Sequence, residues 1–201
     1  FTDVHVVVLE FLEGVSLKDR LARAPRGLDA DEVISFADQM LNGLCYLSER
    51  GIVHRDIKPG NVFVCTDGRI KLIDFEVARQ EGGAGTTVGG LVGTFDYMAP
   101  DFVDSAFRGD EVSDVFSFGV MLHELLTGRT PYRVNREGDT QSSFAFMSRW
   151  SGHTKDSSAI QISARVRRVL SGADGLLAKA LDPDRSVRYQ HFTDLAKDLA
   201  H

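Results

Sequence analysis

The segment HRDIKPGN, residues 54–61, decides how this chain is interpreted, because it concentrates charged and polar side chains in one short stretch. A carboxylate at Asp56, an ammonium at Lys58 and an amide at Asn61 leave the same loop, and Pro59 restricts its backbone. Such a trio can orient an alcohol, neutralise a phosphoryl group and bind a cation, which are the tasks of phosphoryl transfer. For the His-Arg-Asp triplet alone, a surface ion pair is the simpler explanation.

The stretch that follows, NVFVCTDGRIKLID at residues 61–74, predicts a β-hairpin. Asp67-Gly68 between two apolar runs favours a two-residue type I′ turn, which would set Asn61 opposite Asp74. Facing side chains lie close enough for an amide oxygen and a carboxylate to share one ion. Mg²⁺ takes one or two protein oxygens and adds water and phosphate, so the pair predicts a magnesium site. The alternative to a magnesium site is that Asn61 and Asp74 are polar residues that face solvent at the open end of the hairpin.

Helical periodicity is clearest in two segments. From Asp29 the apolar residues recur at helical spacing, with Asp29 and Glu32 as a predicted capping box and Gly51 as the stop. Residues 113–128, SDVFSFGVMLHELLTG, are apolar on nearly every face, which predicts a helix buried at the centre of a domain and ended by Gly128. These patterns predict a mostly helical domain interrupted by one small β region.

Weaker patterns lie on either side of these segments. The β-branched run at the start predicts a strand ending near Leu9, and Ser16 is expected to begin a short helix. Residues 161–181 and 191–201 show further helical patterns, whereas 142–159 has no clear period and is expected to be a loop. The opening strand has no obvious partner in the chain, so we expect an exposed edge or pairing with a missing lobe.

The composition excludes several classes of protein. The 201 residues are 43% hydrophobic and 26% charged, which favours a globular chain with a substantial core. A net charge of -6 argues against a nucleic-acid or anionic-membrane surface. No apolar run approaches the roughly 18 residues of a membrane span. Cys45 and Cys65 lack CxxC spacing, so we expect free thiols in a reducing compartment and a cytoplasmic protein.

Four segments in a fixed order carry a family resemblance: HRDIKPGN, DFE at 74–76, GTFDYMAPD at 93–101 and DVFSFGV at 114–120. The chain resembles the C-terminal lobe of eukaryotic-type serine/threonine protein kinases, with DFE in place of DFG and GTFDYMAPD in place of GTxxYMAPE. A lysine at position 58 is typical of serine/threonine kinases within this family. Small-molecule kinases of the aminoglycoside type share the acidic and amide residues but typically show HGD and lack the two later segments.

The resemblance implies a protein-kinase-like α+β fold, mainly the α-helical C-lobe with a small β-hairpin region and a leftover N-lobe or hinge strand. Residues 1–14 would be the last N-lobe strand and hinge, and 15–201 the C-lobe, with a catalytic loop at 54–61 and an activation segment at 74–101. The implied partners are a protein substrate and the missing kinase N-lobe. Nucleic acid and direct membrane contact from this segment are not expected.

The same resemblance assigns roles in transfer, with ATP and Mg²⁺ as cofactors. Asp56 would be the catalytic base, Lys58 the contact to the γ-phosphate, and Asn61 and Asp74 the magnesium ligands. Thr94 would bond Asp56 and Lys58 and help shape the site for the substrate peptide.

Further roles concern the nucleotide base and ribose. Leu9 would be the gatekeeper, the Glu10 carbonyl and the Leu12 amide would face adenine, Ser16 would lie near the ribose, and Phe63 would form the pocket floor. Leu9 and Phe63 could instead be core residues.

Two structural roles follow as well. Asp114 would accept hydrogen bonds from the catalytic-loop backbone, or else act as a helix cap. Asp101 would pair with Arg188 in a buried bridge, the alternative being that Arg188 is a solvated charge.

Departures from the family pattern bear on activity. The glycine-rich loop, the lysine of the third strand and the glutamate of the control helix are missing from these 201 residues, and Glu76 replaces the glycine of DFG. We expect slow or no transfer by residues 1–201 alone and an active serine/threonine kinase in the full-length protein. Thr86 and Thr87 are expected phosphorylation sites that would pair with Arg55. The alternative is a pseudokinase or scaffold lobe that binds partners or nucleotide without turnover.

Overall fold

The computed structural model describes residues 8–74, 95–104, 106–131, 164–169 and 175–200. The helices are α1 Leu17–Ala22, α2 Ala30–Ser48, α3 Glu111–Thr127, α4 Ala164–Val169, α5 Leu176–Ala180 and α6 Phe192–Leu199. The strands are β1 Gly14–Ser16, β2 Val62–Cys65 and β3 Ile70–Leu72, and single turns of 3-10 helix cover Pro59–Asn61 and Pro100–Val103.

Helix α3 is the centre of the core, as its sequence predicts. Nearly all of its side chains are buried, and it contacts α2, α4 and α5. Asp110 and Ser113 form a capping box at its start. Gly128 ends it in the left-handed conformation with φ 76°, which an L side chain rarely adopts. The predicted burial of this helix and its predicted end at Gly128 are therefore both confirmed.

Helix α2 forms where its periodicity predicts, but its N-terminus differs in detail. The Asp29 carboxylate caps the helix by accepting from the Asp31 N–H at 3.0 Å. The Glu32 side chain does not accept a hydrogen bond from the Asp29 backbone N–H, as a capping box requires. Its carboxylate accepts instead from the Arg20 guanidinium of α1. The predicted capping box is therefore wrong, because a tertiary ion pair takes the glutamate. At the other end Gly51, with φ 68°, stops the helix as predicted.

The three strands form an antiparallel sheet in the order β1-β2-β3. Val62 pairs with Leu72 and Phe63 with Lys71, one residue away from the predicted register. The backbone N–H of Ile73 donates to the Asn61 carbonyl at 2.9 Å. Asn61 thus lies opposite Ile73, and the prediction that it faces Asp74 is wrong.

The turn explains the shift. Cys65 and Arg69 close the hairpin through an N–H to carbonyl bond of 2.8 Å, and the Gly68 N–H donates back to the Cys65 carbonyl at 2.9 Å. Gly68 has φ 82°, whereas Asp67 is not among the residues with positive φ. The loop is therefore a three-residue turn that ends in a left-handed glycine, and the predicted two-residue type I′ turn is wrong.

Predictions for the ends of the chain are confirmed in part. Ser16 begins α1 by accepting from the Asp19 N–H at 3.0 Å. Helices α4, α5 and α6 lie inside the segments with helical patterns. Most of the predicted opening strand and the predicted loop 142–159 lie outside the described residues. Cys45 and Cys65 are free thiols. Within the described part of the chain, none of the helices has the length and apolar character needed to cross a bilayer.

A buried ion pair joins the segment near residue 100 to the C-terminal part of the chain. The Arg188 guanidinium, with a fully buried side chain, donates to the Asp101 carboxylate at 2.6 Å. It also donates to the carbonyls of Asp182 at 2.6 Å and Pro183 at 3.0 Å, and it lies 5.1 Å from the ring centroid of Phe116 on α3. The predicted pairing of Asp101 with Arg188 is confirmed, and the alternative of a solvated arginine is wrong.

Replacing Arg188 by methionine should lower the free energy of unfolding by about 3–5 kcal/mol, because Asp101 and two carbonyls would lose their buried partner. Urea denaturation followed by circular dichroism measures the change. Arg69→Met is the matched control, since Arg69 pairs with Asp67 on the exposed hairpin turn and its loss should leave the midpoint near that of the wild type. Equal losses for the two variants would contradict the importance of the buried pair.

Candidate active site

The loop that contains the 54–61 segment is fixed to the central helix by one side chain. The Asp114 carboxylate of α3 accepts from the backbone N–H of His54 at 2.7 Å and from that of Arg55 at 3.0 Å. Arg55 has φ 66°, an uncommon conformation for a residue with a side chain. The predicted bonds from the loop backbone to Asp114 are confirmed, and they hold a strained turn against the buried helix.

Burial changes the acidity of this anchor. Desolvation raises the pKa of Asp114 to about 7, although the N–H groups of His54 and Arg55 favour the ionised form. Burial also lowers the pKa of the neighbouring His54. The loop therefore begins beside a carboxyl group that titrates near neutral pH and a buried imidazole that favours its neutral form.

Asp56, Lys58 and Asn61 come together as the sequence predicts. The Lys58 Nζ lies 2.6 Å from Oδ2 of Asp56, and the Asn61 amide donates to the same Oδ2 at 2.7 Å and to the Asp56 carbonyl at 2.8 Å. The 3-10 turn at Pro59–Asn61 produces this convergence by bringing Asn61 back over the loop. Asn61 is buried, so the orientation of its amide is fixed by these two bonds.

The two carboxylate oxygens of Asp56 have different surroundings. Oδ2 accepts from both Lys58 and Asn61. Oδ1 is buried and has no hydrogen-bond partner among the described residues. A buried acceptor without a partner is costly, and such atoms in folded proteins often mark places where a ligand or substrate group binds. The site thus contains one buried carboxylate oxygen that accepts no hydrogen bond in the described structure.

Asp74 lies just after β3 and is exposed. Its φ of 54° is again uncommon for a residue with a side chain. It follows Ile73, the residue that bonds to the backbone of Asn61, so the hairpin mouth carries both an amide and a carboxylate even though they are not directly paired. The described residues contain no group of three or more His, Cys, Asp or Glu side chains that could hold a metal ion.

The residues predicted around the nucleotide base fall into two groups. Ser16 lies directly across from Phe63 in the sheet, so the structure brings these two together. Leu9 is 80% exposed, and Glu10 is also largely exposed. Leu12 is half-buried. The alternative that Leu9 is a core residue is therefore wrong. Thr94, which is predicted to bond Asp56 and Lys58, lies outside the described residues.

Two contacts near the site were not predicted from the sequence. Lys71 of β3 pairs with Glu10 at 2.9 Å. The Tyr97 hydroxyl donates to Glu124 of α3 at 2.5 Å, and burial raises the pKa of that carboxyl group. The position of Tyr97 inside the GTFDYMAPD motif could have directed attention to it. No pattern links Lys71 to Glu10.

Asp114→Asn should change the pH dependence of stability. The folded-state pKa of about 7 exceeds the ordinary 3.8, so between these values the folded protein keeps a proton that the unfolded chain releases. This stabilising contribution is complete below about pH 4 and is lost as the pH rises through 7. The excess stability of the wild type over Asp114→Asn should therefore be larger at pH 5 than at pH 8.

Urea unfolding of both proteins at the two pH values measures this difference. Asp194→Asn, at an exposed position of α6, controls for the loss of a surface carboxylate. A gap between wild type and Asp114→Asn that stays constant, or widens toward pH 8, would contradict the raised pKa.

Comparisons with known proteins identify the family of the chain. A family model described as a protein kinase domain matches residues 2–198. Serine/threonine-protein kinase PknB of Mycobacterium tuberculosis is 33% identical over 203 residues, which cover 96% of this chain and 29% of that protein. The probable serine/threonine-protein kinase PknB of Bifidobacterium longum is 33% identical over 201 residues, covering 96% of this chain and 27% of that protein.

A third relative, serine/threonine-protein kinase PknL of Mycobacterium tuberculosis, is 33% identical over 195 residues, covering 96% of this chain and 46% of that protein. The chain spans less than half the length of each of these three relatives. The family match extends over almost all of the chain, including the loop anchored by Asp114 and the cluster around Asp56. The chain belongs to the protein kinase domain family.

Proposed function

We propose that this chain is the C-terminal lobe of a serine/threonine protein kinase that transfers the γ-phosphate of ATP to Ser and Thr hydroxyls of proteins. The family match and the names of the relatives support the reaction class. In this proposal residues 1–14 are the last N-lobe strand and hinge, and 15–201 form the C-lobe. The N-lobe and a protein substrate are its partners, and the free thiols Cys45 and Cys65 favour a cytoplasmic location.

The observation that carries the proposal is the difference between the two oxygens of Asp56. Oδ2 is occupied by Lys58 and Asn61, while Oδ1 is buried without a partner among the described residues. An incoming Ser or Thr hydroxyl can donate to Oδ1, which orients the nucleophile and accepts its proton as the bond from the hydroxyl oxygen to the γ-phosphorus forms and the bond from that phosphorus to ADP breaks. Asp56 is therefore the proposed catalytic base.

Lys58 and Asn61 have complementary tasks in this proposal. The Lys58 ammonium is held at 2.6 Å from Asp56, so a positive charge stands beside the position where the hydroxyl attacks. It can stabilise negative charge that develops on the transferred group. Thr94, outside the described residues, is expected to bond both Asp56 and Lys58.

The donor set fits a magnesium ion. Because the nitrogen of the buried Asn61 amide donates to Asp56, its oxygen remains as an acceptor for a cation. The exposed Asp74 carboxylate supplies a second oxygen at the same hairpin mouth. One or two protein oxygens are what Mg²⁺ takes when phosphates complete its shell. Held by Asn61 and Asp74, Mg²⁺ would supply positive charge that offsets the negative charge of the ATP phosphates, and ATP would supply the phosphoryl group.

The nucleotide base and ribose are assigned to the opposite side of the sheet from the core. Phe63 is the proposed floor and Ser16, directly across from it, the proposed ribose contact. Leu9, Glu10 and Leu12 precede β1, where their backbone can meet the edge of an adenine ring. Leu9 and Glu10 are exposed and Leu12 is half-buried, so much of this segment's surface is open to a ligand or another lobe.

A pseudokinase that binds partners or nucleotide without turnover is the second candidate, and one sequence feature favours it. Glu76 stands where the family motif has glycine, which adds an acidic side chain two residues after Asp74. An extra negative charge there would repel phosphates, the alternative being that the Glu76 carboxylate adds a contact to the metal. Nucleotide binding without phosphate transfer by the full-length protein would support this alternative.

Asp56→Asn in the full-length protein should lower kcat by about 10²–10⁴-fold, because the amide cannot accept the hydroxyl proton. Affinity for Mg-ATP should stay near that of the wild type. Incorporation of labelled phosphate into Ser and Thr of a protein substrate measures kcat. Asp67→Asn, on the exposed hairpin turn, is the matched control and should remain active. Wild-type rates in Asp56→Asn would rule out its role as base.

Asp74→Asn should weaken nucleotide binding only when Mg²⁺ is present, because the variant loses a charged oxygen that is proposed to hold the ion. Calorimetric titration with ATP in Mg²⁺ and in EDTA separates the two conditions. If the variant and the wild type bind Mg-ATP equally well, the carboxylate is not a ligand.

A further inference from the structure

An ion pair reaches the proposed nucleotide site from β3. The Lys71 Nζ donates to both carboxylate oxygens of Glu10, at 2.9 Å to Oε2 and 3.2 Å to Oε1. The two residues are 61 positions apart in the sequence. The contact therefore joins the segment that precedes β1 to the far strand of the hairpin.

The sheet register shows which face Lys71 occupies. Lys71 lies directly across from Phe63, and Phe63 lies across from Ser16. Facing residues of antiparallel strands share one face of the sheet, and successive residues alternate between faces. Since Val64 and Ile70 pack against the core, the row of Ser16, Phe63 and Lys71 lies on the other face. Lys71 thus belongs to the face that carries the proposed floor of the nucleotide pocket.

Residues 8–12 have little else to hold them. Val8, Leu9 and Phe11 are each at least 80% exposed. In the parts of the chain that the structure describes, no other side-chain hydrogen bond reaches residues 8–12. The next fixed point is the Glu13 carbonyl, which accepts from the Thr66 N–H at 2.9 Å. The Lys71–Glu10 ion pair is therefore the side-chain contact that attaches residues 8–12 to the sheet in the described structure.

We propose that Lys71 is a positioning residue for ATP: its ion pair with Glu10 holds residues 8–12 beside the Phe63 floor, where their backbone meets the adenine ring. This inference rests on the proposed function and adds a residue to it. A segment already held in its bound conformation loses less conformational entropy when the ligand arrives. Lys71 acts on the nucleotide through Glu10, and the chemistry at Asp56 does not depend on it.

The expected effect is on binding. Lys71→Met should raise the Kd and the KM for Mg-ATP by about two- to five-fold, the range for an ion pair with partly exposed partners, and leave kcat unchanged. Glu10→Gln should act in the same direction. The charge-reversed double variant Lys71→Glu with Glu10→Lys should recover most of the affinity, because it restores an ion pair between the same positions.

The experiment uses the full-length protein and three readouts. Calorimetry with Mg²⁺ and a non-hydrolysable ATP analogue gives Kd, steady-state phosphate transfer gives KM and kcat, and thermal unfolding gives Tm. Lys197→Glu is the matched control, because Lys197 forms an exposed ion pair with Asp194 at 3.1 Å on α6. It should leave all three readouts close to those of the wild type.

Weaker binding in both single variants with recovery in the double variant supports the inference. Wild-type affinity in Lys71→Met overturns it, as does a double variant that recovers nothing, and so does a loss of Tm without a change in Kd. A wild-type protein that binds the analogue but transfers no phosphate would contradict the proposed function alone, and the Kd values would still decide the role of Lys71. Failure of the wild type to bind the analogue would overturn both.

Discussion

The site depends on a carboxylate placed inside the core. Asp114 projects from a helix that is buried on nearly every side, and burial opposes its ionisation strongly enough to raise its pKa to about 7. The backbone N–H groups of His54 and Arg55 compensate part of that cost, and in return the carboxyl group holds Arg55 at φ 66°. Two unfavourable features, a buried acid and a strained turn, therefore stabilise each other.

The strain is confined to the borders of the polar cluster. Among the described residues, the non-glycine positions with positive φ are Arg55 and Asp74, one before Asp56 and one after β3. Between them lies the carboxylate whose Oδ1 has no partner in the described structure. Strained backbone and unsatisfied polar atoms both lower stability, so their coincidence at one place indicates a site shaped for a ligand rather than for folding.

Sequence patterns predicted the helices and the two hairpin strands well, but they did not predict β1, and they predicted the contacts between elements less well. The period and apolar character of α2 and α3 are local properties, and glycine ended each helix as expected. The predicted hairpin register is wrong because Asp67-Gly68, which favours a two-residue turn, also fits a three-residue turn that ends in a left-handed glycine. What distinguishes the two is tertiary: Gln39 of α2 accepts from the Ile70 N–H at 3.0 Å and donates to the Gly68 carbonyl at 3.3 Å. Thr94, Thr86 and Thr87 lie outside the described residues and stay predictions.

Helix α3 holds a second segment near the proposed site as well as the loop at residues 54–61. Phe116, two residues after Asp114 on α3, lies under the guanidinium of Arg188, which in turn holds Asp101. The loop at residues 54–61 and the segment at residues 100–103 are thus attached to neighbouring positions of one buried helix. A displacement of α3 would shift both attachments together, whereas the segment 8–12 is held by an exposed ion pair at the opposite side of the sheet. The parts proposed for chemistry are therefore attached to the core, whereas the part proposed for the nucleotide base is attached through an exposed ion pair.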